Sequence, residues 1–559
     1  MQKSSVKNQT TRLNTNQKII QFEEALKQSG SQRQAEQLTG IPRTNYQYWH
    51  DRQQRCDLDE VVITFFMQPE GIAFLQRLTL AAEFAITQLG GSGMGVVQQF
   101  YALSHLDRLV ACSDGSLHQR LVNLENNLIE FGEIQFKTLG NQMPAKAITC
   151  ALDETFPSGI CLVGMDVESN YILLEQFAEK RDCDTWEQAM EKRLSALPVK
   201  VIQVVSDEAK ALIKYTRESL GAHHSPDVFH VQQEIIKGTT PSLRADIKKE
   251  QAALTLANNT LMAWVEAKAA YEQCDIKPMG RPLYYDAYID DAAKEQLNAI
   301  DNMVDAVTRR KAVQASNRGI SQDYHPFDLE TGEKKTPSIL AAQLNYHFST
   351  IDNHAQQAGL SENAIKRVQK AWAMVDSMVN TLTFFWCQVA IMIEGFNLND
   401  EMQDVFETYL LPMAYIEVHL PKSRNAKQKE QRKTLHHELE KKLNDLDLWQ
   451  HKTVEQKTTL QSQARQCALV FQRSSSCVEG RNGQLSLKHH ASRQLSPRKL
   501  AASTVIHNCF ITRPNGTTAA ERFFERPPDN LFEWLLSRTD CPPLPAKKRS
   551  APRELRVAA

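Results

Sequence analysis

Two aspartates follow predicted β-strands at the points where those strands end. Asp153 closes the segment AITCALD, and Asp207 follows VIQVVS, whose apolar β-branched residues predict a strand buried on both faces. In an open sheet, functional side chains gather at the carboxyl ends of the strands. If these two strands are neighbours, the carboxylates repel each other unless a cation lies between them. Oxygen ligands of this kind favour magnesium, so the pair predicts a metal site suited to phosphate chemistry.

A helix cap is the alternative role for each aspartate. Asp207 precedes EAKALIKY, which runs at helical spacing, so its carboxylate could accept hydrogen bonds from the first helical N–H groups. Position alone leaves both roles open for Asp207, and it favours capping less for Asp153. Glu154 should point away from Asp153, because successive strand residues face opposite sides of a sheet. We expect Asp166 and Glu168 at the surface.

The elements around the two aspartates alternate between extended and helical patterns. Strands are predicted in AKAITCALDETF, in both halves of GICLVGMDVESNYILLEQF and in LPVKVIQVV. CDTWEQAMEKRLSAL predicts an amphipathic helix that begins at Asp184, and PDVFHVQQEIIKG predicts a fifth strand or the start of a helix. The order β-β-β-α-β-α-β predicts a mixed α/β core built on a mixed five-stranded sheet.

The amino-terminal segment has the pattern of a helix-turn-helix. We expect residues 1–15 to be disordered, and residues 16–56 predict three short helices broken by glycines. Residues 1–55 contain nine Lys or Arg and four Asp or Glu, a net charge of +5 that would attract phosphates. A module used only for protein contacts is the alternative. The residues expected on base edges are Arg43, Asn45, Gln47 and Tyr48, and those expected on phosphates are Arg33 and Arg52.

The rest of the chain is mostly helical in pattern. Residues 57–140 predict helices that bind DNA, dimerise or form an ordinary bundle. Two segments, 145–238 and 471–530, predict the two parts of the mixed core, and a large all-α insertion at 239–470 separates them. Residues 531–559 predict a basic, flexible tail.

Composition narrows the class of protein. The 559 residues have a formal net charge of −1, so the whole molecule has no strong electrostatic preference for nucleic acid or membranes. Eleven cysteines without a CxxC pair indicate a reduced, cytoplasmic protein with no structural zinc site, and no apolar signal segment follows Met1. The most hydrophobic stretch, 375–393, contains Asp376 and Asn380, which favours a buried core helix over a membrane span.

The ordered set of elements resembles a known enzyme class. A β-β-β-α-β order with Asp153 after the first strand and Asp207 after the fourth is similar to the RNase H-like core of bacterial insertion-sequence transposases. These are the DDE enzymes, related in core fold to retroviral integrases. They take a third carboxylate, usually glutamate, from a late helix, and Glu479 in SSSCVEGRNGQLSLKHHASRQLS is similar to that position. The 271 residues between Asp207 and Glu479 imply a large insertion within the core, which several such transposases also carry.

The resemblance implies phosphoryl transfer with two Mg²⁺ or Mn²⁺ ions per site. Asp153 would bridge both ions, while Asp207 and Glu479 would hold one each. Such an enzyme binds the terminal inverted repeats of its element, cleaves the DNA ends and joins the freed 3′-hydroxyls to target DNA. Because it holds two ends together, a homodimer or larger assembly is expected on DNA. The expected location is the bacterial cytoplasm, at the nucleoid when DNA is bound, and no membrane is involved.

Further residues are expected near this site. Asp227 and Glu234 compete with Glu479 for the third position. PDVFHVQQEI is similar to the strand after the second aspartate in these enzymes, so His230 could touch phosphate or serve as a core histidine. The basic residues after Glu479 would follow the DNA backbone or form a solvated helix face. They are Arg481, Lys488, Arg493, Arg498 and Lys499, and TVIHNCFITRPNGTTAAERFFE adds Arg513 and Arg522 near the site.

Two other functions fit the same pattern. One is a domesticated, inactive relative that regulates by binding DNA, and the other is a metal-dependent nuclease of the same fold that does not join strands. The presence of all three carboxylates favours an active enzyme over the first alternative. The amino-terminal helix-turn-helix favours recognition of defined DNA ends over the second.

Overall fold

Five strands form one sheet at the centre of the predicted core. The computed structural model describes residues 5–54, 58–422, 425–492 and 494–545. The sheet order is β3-β2-β1-β4-β5, which places the first and fourth strands side by side, as expected. The strands are β1 (Lys146–Thr155), β2 (Cys161–Asp166), β3 (Ile172–Phe177), β4 (Val199–Ser206) and β5 (His223–Pro226).

Strand directions make the sheet mixed. β2 pairs with β3 antiparallel, and β4 pairs with β5 parallel, with Gln203 opposite His223 and Ser206 opposite Pro226. The mixed α/β class is therefore confirmed.

The fifth strand is His223–Pro226, and it ends at the first residue of the segment PDVFHVQQEIIKG, for which the sequence predicts a strand or the start of a helix. PDVFHVQQEIIKG begins a helix because the side chain of Asp227 accepts a hydrogen bond from the Phe229 N–H at 2.8 Å and caps helix Val228–Gln273. The segment is thus the start of a helix, as the second alternative predicts. The expectation that PDVFHVQQEI forms a strand, as in the resembled family, is wrong.

The carboxyl end of β4 is buried on both faces. Gln203, Val204, Val205 and Ser206 have at most trace solvent exposure, as the apolar run predicts. The buried Gln203 amide donates to Ser225 Oγ at 2.6 Å and to the Gln472 carbonyl at 2.9 Å, so its burial leaves no unpaired N–H group.

The chain forms two compact units. The first contains 1–147, 153–200 and 477–559, and the second contains 148–152 and 201–476. Strand β1 belongs to both, because its central five residues fall in the second unit and its ends fall in the first.

The first unit surrounds its strands with helices. A would-be Cβ at Gly132 lies 2.4 Å from Val505 Cγ2, so glycine is what allows helix 114–140 to pack against helix 497–509. The helices are Ser5–Ser29, Gln32–Thr39, Arg43–Gln54, Glu60–Phe65, Pro69–Glu83, Phe84–Leu89, Met94–Leu103, Leu106–Arg108, Asp114–Gly140, Cys183–Leu194, Pro497–Cys509, Ala519–Phe524 and Leu531–Arg538, and Ser476–Ser492 lies in this unit from Cys477 onward.

Three amino-terminal helices form a small core of their own. Phe22 and Tyr46 stack with ring centroids 4.2 Å apart, and Ile19, Ala35 and Ile41 are buried beside them. Thus the three predicted helices are present. The first begins at Ser5 in the structure, so the expectation of disorder is wrong for residues 5–15.

The second unit is helical apart from its strands. Its core includes Leu344, Phe348, Phe385 and Phe406, all fully buried. Helix Val228–Gln273 crosses position 238 without a break, so the insertion expected from 239 has no separate start there. The helices are Lys210–Lys214, Tyr215–Ser219, Val228–Gln273, Tyr285–Asp323, Pro337–Gln357, Glu362–Trp372, Val375–Gly395, Asp400–Val405, Phe406–Leu410, Leu411–His419, Leu420–Lys422, Ala426–Asn444, Asp447–Gln450 and Val454–Leu469.

The most apolar stretch packs as a core helix. Among the described residues, one segment, 362–395, is long and apolar enough to cross a membrane by length and composition. Within it, helix Val375–Gly395 buries Met378, Leu382 and Phe385 in the core of the second unit. That one-sided burial agrees with the predicted core helix.

Two local predictions need correction. Asp182, not Asp184, caps helix Cys183–Leu194 through a hydrogen bond from the Thr185 N–H at 3.0 Å. The expectation of a flexible tail is wrong for residues 531–538, because they form helix Leu531–Arg538 and the Gln76 side chain donates to the Leu536 carbonyl at 3.0 Å. Residues 546–559 lie outside the described part of the chain.

Candidate active site

Two of the three predicted carboxylates lie together in the first unit. Asp153 is near the end of β1, and Glu479 is in the first turn of helix Ser476–Ser492. Each offers one carboxylate oxygen, and these atoms lie within 4.8 Å of each other. Two ionised carboxylates at that separation repel each other unless a proton or a cation lies between them.

A third side chain in the same place was missed from the sequence. Asn482 Nδ2 donates to Asp153 Oδ2 at 2.7 Å, and the other Asp153 oxygen accepts the Glu154 N–H at 2.8 Å. Asn482 follows Glu479 by three residues, so both lie on one face of the helix. That i, i+3 spacing in VEGRNG was the available signal.

The donor set suits a hard divalent cation. Asn482 Oδ1 is buried and has no hydrogen-bond partner in the part of the chain that the structure describes. A buried carbonyl oxygen without a partner costs free energy unless water or an ion satisfies it. Two carboxylates and an amide oxygen are ligands that Mg²⁺ or Mn²⁺ accepts, so the residues fit such an ion.

Asp207 directly follows β4 in the second unit and does not cap a helix. Its Oδ1 accepts the Ala209 N–H at 3.1 Å, whereas helix Lys210–Lys214 begins after Ala209 without a side-chain cap. The capping alternative is therefore wrong. Burial raises the pKa of the adjacent Glu208 carboxyl, and the charge of Asp207 adds to that rise against the opposing effect of Arg217.

The two competing candidates for the third carboxylate have other roles. Asp227 is buried, caps its helix, and accepts hydrogen bonds from the backbone and hydroxyl of Ser475. Glu234 pairs with Arg367 at 3.0 Å. His230 lies on helix Val228–Gln273, with Nε2 4.0 Å from Asp227 Oδ2, and is not on a strand.

The prediction that Arg481 follows DNA is wrong. Its guanidinium is buried and binds both oxygens of the buried Glu175 carboxylate at 2.6 Å. The same guanidinium donates to Ser503 Oγ at 3.1 Å, and Thr504 Oγ1 donates to Glu175 at 2.5 Å. Arg481 lies on the face that carries the buried Val478, so it anchors the helix instead of facing solvent.

The other basic residues of this region differ in exposure. Lys488 is partly buried and donates to Ser503 Oγ at 2.8 Å; burial and the nearby Arg481 charge lower its pKa to about 8. Arg498 pairs with Glu125 at 2.5 Å, and Lys499 is exposed. These side chains line a cavity of about 370 Å³, together with Glu125 and His118.

Arg493 lies outside the described residues. The expectation that it contacts DNA stays a prediction.

Arg513 and Arg522 stabilise the turn between β2 and β3. Arg522 donates to the Ser169 carbonyl at 2.8 and 3.0 Å, and Arg513 donates to the Glu168 carbonyl at 3.3 Å. Burial lowers the pKa of Arg522 to about 10. Since these contacts satisfy turn carbonyls, we assign both arginines to this turn and withdraw the expectation that they serve the site.

Two expectations about neighbouring acids have different outcomes. Glu154 points away from Asp153, as expected, because it pairs with Arg181 at 3.0 Å and accepts from Trp186 Nε1 at 3.4 Å. Asp166 is buried and accepts hydrogen bonds from the backbone and hydroxyl of Ser169, so its expected surface position is wrong. Burial raises its pKa.

The predicted base-reading residues lie on an exposed helix. Arg43, Asn45, Gln47 and Tyr48 are all exposed on helix Arg43–Gln54. Gln47 Nε2 donates to Gln32 Oε1 at 2.7 Å, which ties this helix to helix Gln32–Thr39.

Of the two residues expected on phosphates, the structure describes the side chain of Arg33 only. Arg33 is exposed on helix Gln32–Thr39. The side chain of Arg52 lies outside the described part of the chain, so its expected role stays a prediction.

Comparisons with known proteins add one finding. Residues 406–551 match a protein family described as a family of unknown function (DUF6399). The matched region contains Glu479 and Asn482 but not the two aspartates. No curated protein and no solved structure matches the chain.

Proposed function

We propose that this chain is a DNA transposase of the insertion-sequence DDE class, with an RNase H-like core. The observation that carries the proposal is the closeness of Asp153 and Glu479, whose carboxylate oxygens lie within 4.8 Å although the residues are far apart in sequence. Asp153 is on the central strand β1, and the neighbouring strand β4 leads directly into Asp207. These positions agree with the ordered carboxylates of the class.

Each residue has a proposed role. Asp153, Glu479 and Asp207 would hold two Mg²⁺ or Mn²⁺ ions, which supply Lewis-acid stabilisation of charge on a phosphodiester. Asn482 holds one Asp153 oxygen through its amide N–H, so the carboxylate keeps one orientation. That orientation matters because phosphoryl transfer depends on placing charged groups before the reaction begins.

The amino-terminal helices would recognise the ends of the element. Exposed Arg43 and Asn45 on the third helix are suited to guanine and adenine edges in the major groove. Arg33 is suited to phosphate. The positive charge of this segment supports DNA over a protein partner, and two ends joined in one reaction imply a dimer or larger assembly on DNA.

The test is strand joining on pre-cut DNA ends with Mg²⁺. The ends are identified as inverted repeats in the DNA that flanks the gene. Asp153→Asn, Asp207→Asn and Glu479→Gln should each abolish joining while leaving end binding intact, because the charge is lost but the shape is kept. Asp184→Asn, which changes an exposed carboxylate on a helix of the first unit, is the matched control and should join normally.

Each outcome separates the rival functions. Hydrolysis without joining would identify a nuclease of this fold. End binding without either reaction in the unaltered protein would identify a DNA-binding regulator. Normal joining by Asp207→Asn would overturn the assignment of Asp207 as a metal ligand, and normal joining by Asp153→Asn would overturn the site.

A further inference from the structure

Two long helices of the second unit form an arm with an unusual distribution of apolar residues. The arm consists of helices Val228–Gln273 and Tyr285–Asp323, which pack against each other. On the second helix, Ala292, Ala299 and Ala306 are buried at intervals of seven residues. Small residues at this spacing allow close helix packing, and the stacked rings of Trp264 and Tyr288, with centroids 4.6 Å apart, also join the two helices.

Larger apolar residues of the second arm helix are exposed to solvent. Leu297, Ile300 and Val304 are 60%, 38% and 56% exposed. Their spacing of three and four residues is the seam pattern of a coiled coil, which normally faces another helix. Leu297 and Val304 are therefore mostly open to solvent, whereas Ile300 is partly covered.

The same seam continues into charged residues of opposite sign at its two ends. Asp290 lies seven residues before Leu297, and Lys311 and Arg318 lie seven and fourteen residues after Val304. All three charged residues are exposed. The seam is thus acidic toward the tip of the arm, apolar at its centre and basic toward the base.

This order of charges selects one occupant. In an antiparallel pair of identical helices, the acidic end of each seam meets the basic end of the other, and the apolar centres coincide. With Ile300 of one copy beside Val304 of the other, Asp290 lies within one helical turn of Lys311 of the second copy. A partner with one uniform charge would be repelled at one end.

We propose that the arm seam, formed by Asp290, Leu297, Ile300, Val304, Lys311 and Arg318, is a self-association surface for a second copy of this chain. The two copies pair antiparallel about a two-fold axis near position 302. The association needs no DNA, and it stands whether or not the proposed strand transfer is correct.

Sedimentation of the full-length protein without DNA, over a range of concentrations, tests this surface. Ile300→Lys should raise the dimer dissociation constant at least about tenfold, because a charge enters the apolar centre. Ile391→Lys is the control, since Ile391 is 62% exposed on a different helix of the same unit. Circular dichroism checks that each variant is folded.

Charge exchange distinguishes pairing between copies from an effect within one chain. Asp290 and Lys311 are 21 residues apart on one helix, about 32 Å, so they do not interact in the same copy. Asp290→Lys alone and Lys311→Asp alone should each weaken self-association, whereas an equimolar mixture of the two variants should associate as mixed dimers. A monomer at all concentrations, or a mixture that stays monomeric, would overturn the proposal.

Discussion

Asn482 and Asp153, 329 positions apart in sequence, are joined by a hydrogen bond of 2.7 Å from the amide to the carboxylate. The amide holds one oxygen of Asp153 and presents its own buried oxygen beside it. A ligand held in this way loses less conformational entropy when an ion binds, because its orientation is already set.

Asn482→Ala should therefore reduce strand joining about 10- to 100-fold and weaken Mn²⁺ binding, because Asp153 loses its positioning donor. Calorimetric titration with Mn²⁺ measures the second effect without requiring any reaction. Ser486→Ala, at an exposed position of the same helix, is the control and should change neither quantity. Unaltered Mn²⁺ affinity in Asn482→Ala would contradict the role given to the amide.

Arg481→Met should destabilise the protein by about 3–5 kcal/mol, because it leaves the Glu175 carboxylate buried without its cation. Urea unfolding measures the loss. The double variant Arg481→Met/Glu175→Leu should recover much of it, since no isolated charge remains. Arg498→Ala removes a more exposed ion pair and should cost far less. Equal losses for the two arginines would show that burial of the Arg481 pair is not what matters.

Lys488 should give the stability a specific pH dependence. Burial lowers its folded pKa to about 8, below the ordinary value of 10.5, so above pH 8 the unfolded chain binds more protons at this site than the folded chain. Its contribution to the free energy of unfolding therefore rises between about pH 8 and 10.5. Lys488→Met should flatten this rise in urea unfolding measured across that range. Lys499→Met, at an exposed position, should leave the rise unchanged.

Different substitutions in the amino-terminal helices test DNA recognition and folding. Arg43→Ala should weaken binding to the element ends by about 1–3 kcal/mol and reduce discrimination between sequences. Arg33→Ala should weaken binding to all DNA sequences alike and lower its salt dependence. Binding titrations at several salt concentrations measure both.

Phe22→Ala tests the folding of the same three helices, whereas the two arginine variants test DNA binding. It should destabilise the three helices by about 3–5 kcal/mol, because it removes the ring stacked on Tyr46. A chain in which Phe22→Ala leaves these helices folded, as judged by thermal unfolding, would show that the stacked pair is not central to them.

The sequence was most informative where one local pattern decides the outcome. The apolar run before Asp207 gave the position of β4, and the three amino-terminal helices followed from glycine breaks and apolar spacing. The sequence was misleading where a capping hydrogen bond determines whether a segment is a helix or a strand. Asp227 turns PDVFHV into a helix, and the short polar strand His223–Pro226 has none of the features by which strands are recognised.

Side-chain roles depended on contacts with distant segments. The sequence after Glu479 predicts a basic face that includes Arg481, whereas in the structure the Arg481 guanidinium binds the Glu175 carboxylate of β3. No local sequence pattern predicts this ion pair, because Glu175 lies 306 positions from Arg481. Asn482 was different, since its i, i+3 relation to Glu479 could have been read directly.

The division of β1 between two units governs how the protein can be made. Its central residues, 148–152, group with a segment that begins at 201, and its ends group with a segment that begins at 477. During synthesis, more than three hundred residues after Asp153 are added before all the segments that group with β1 have been made. Contacts between such distant segments form slowly, so we expect this chain to depend on chaperones more than a protein of similar size with local contacts.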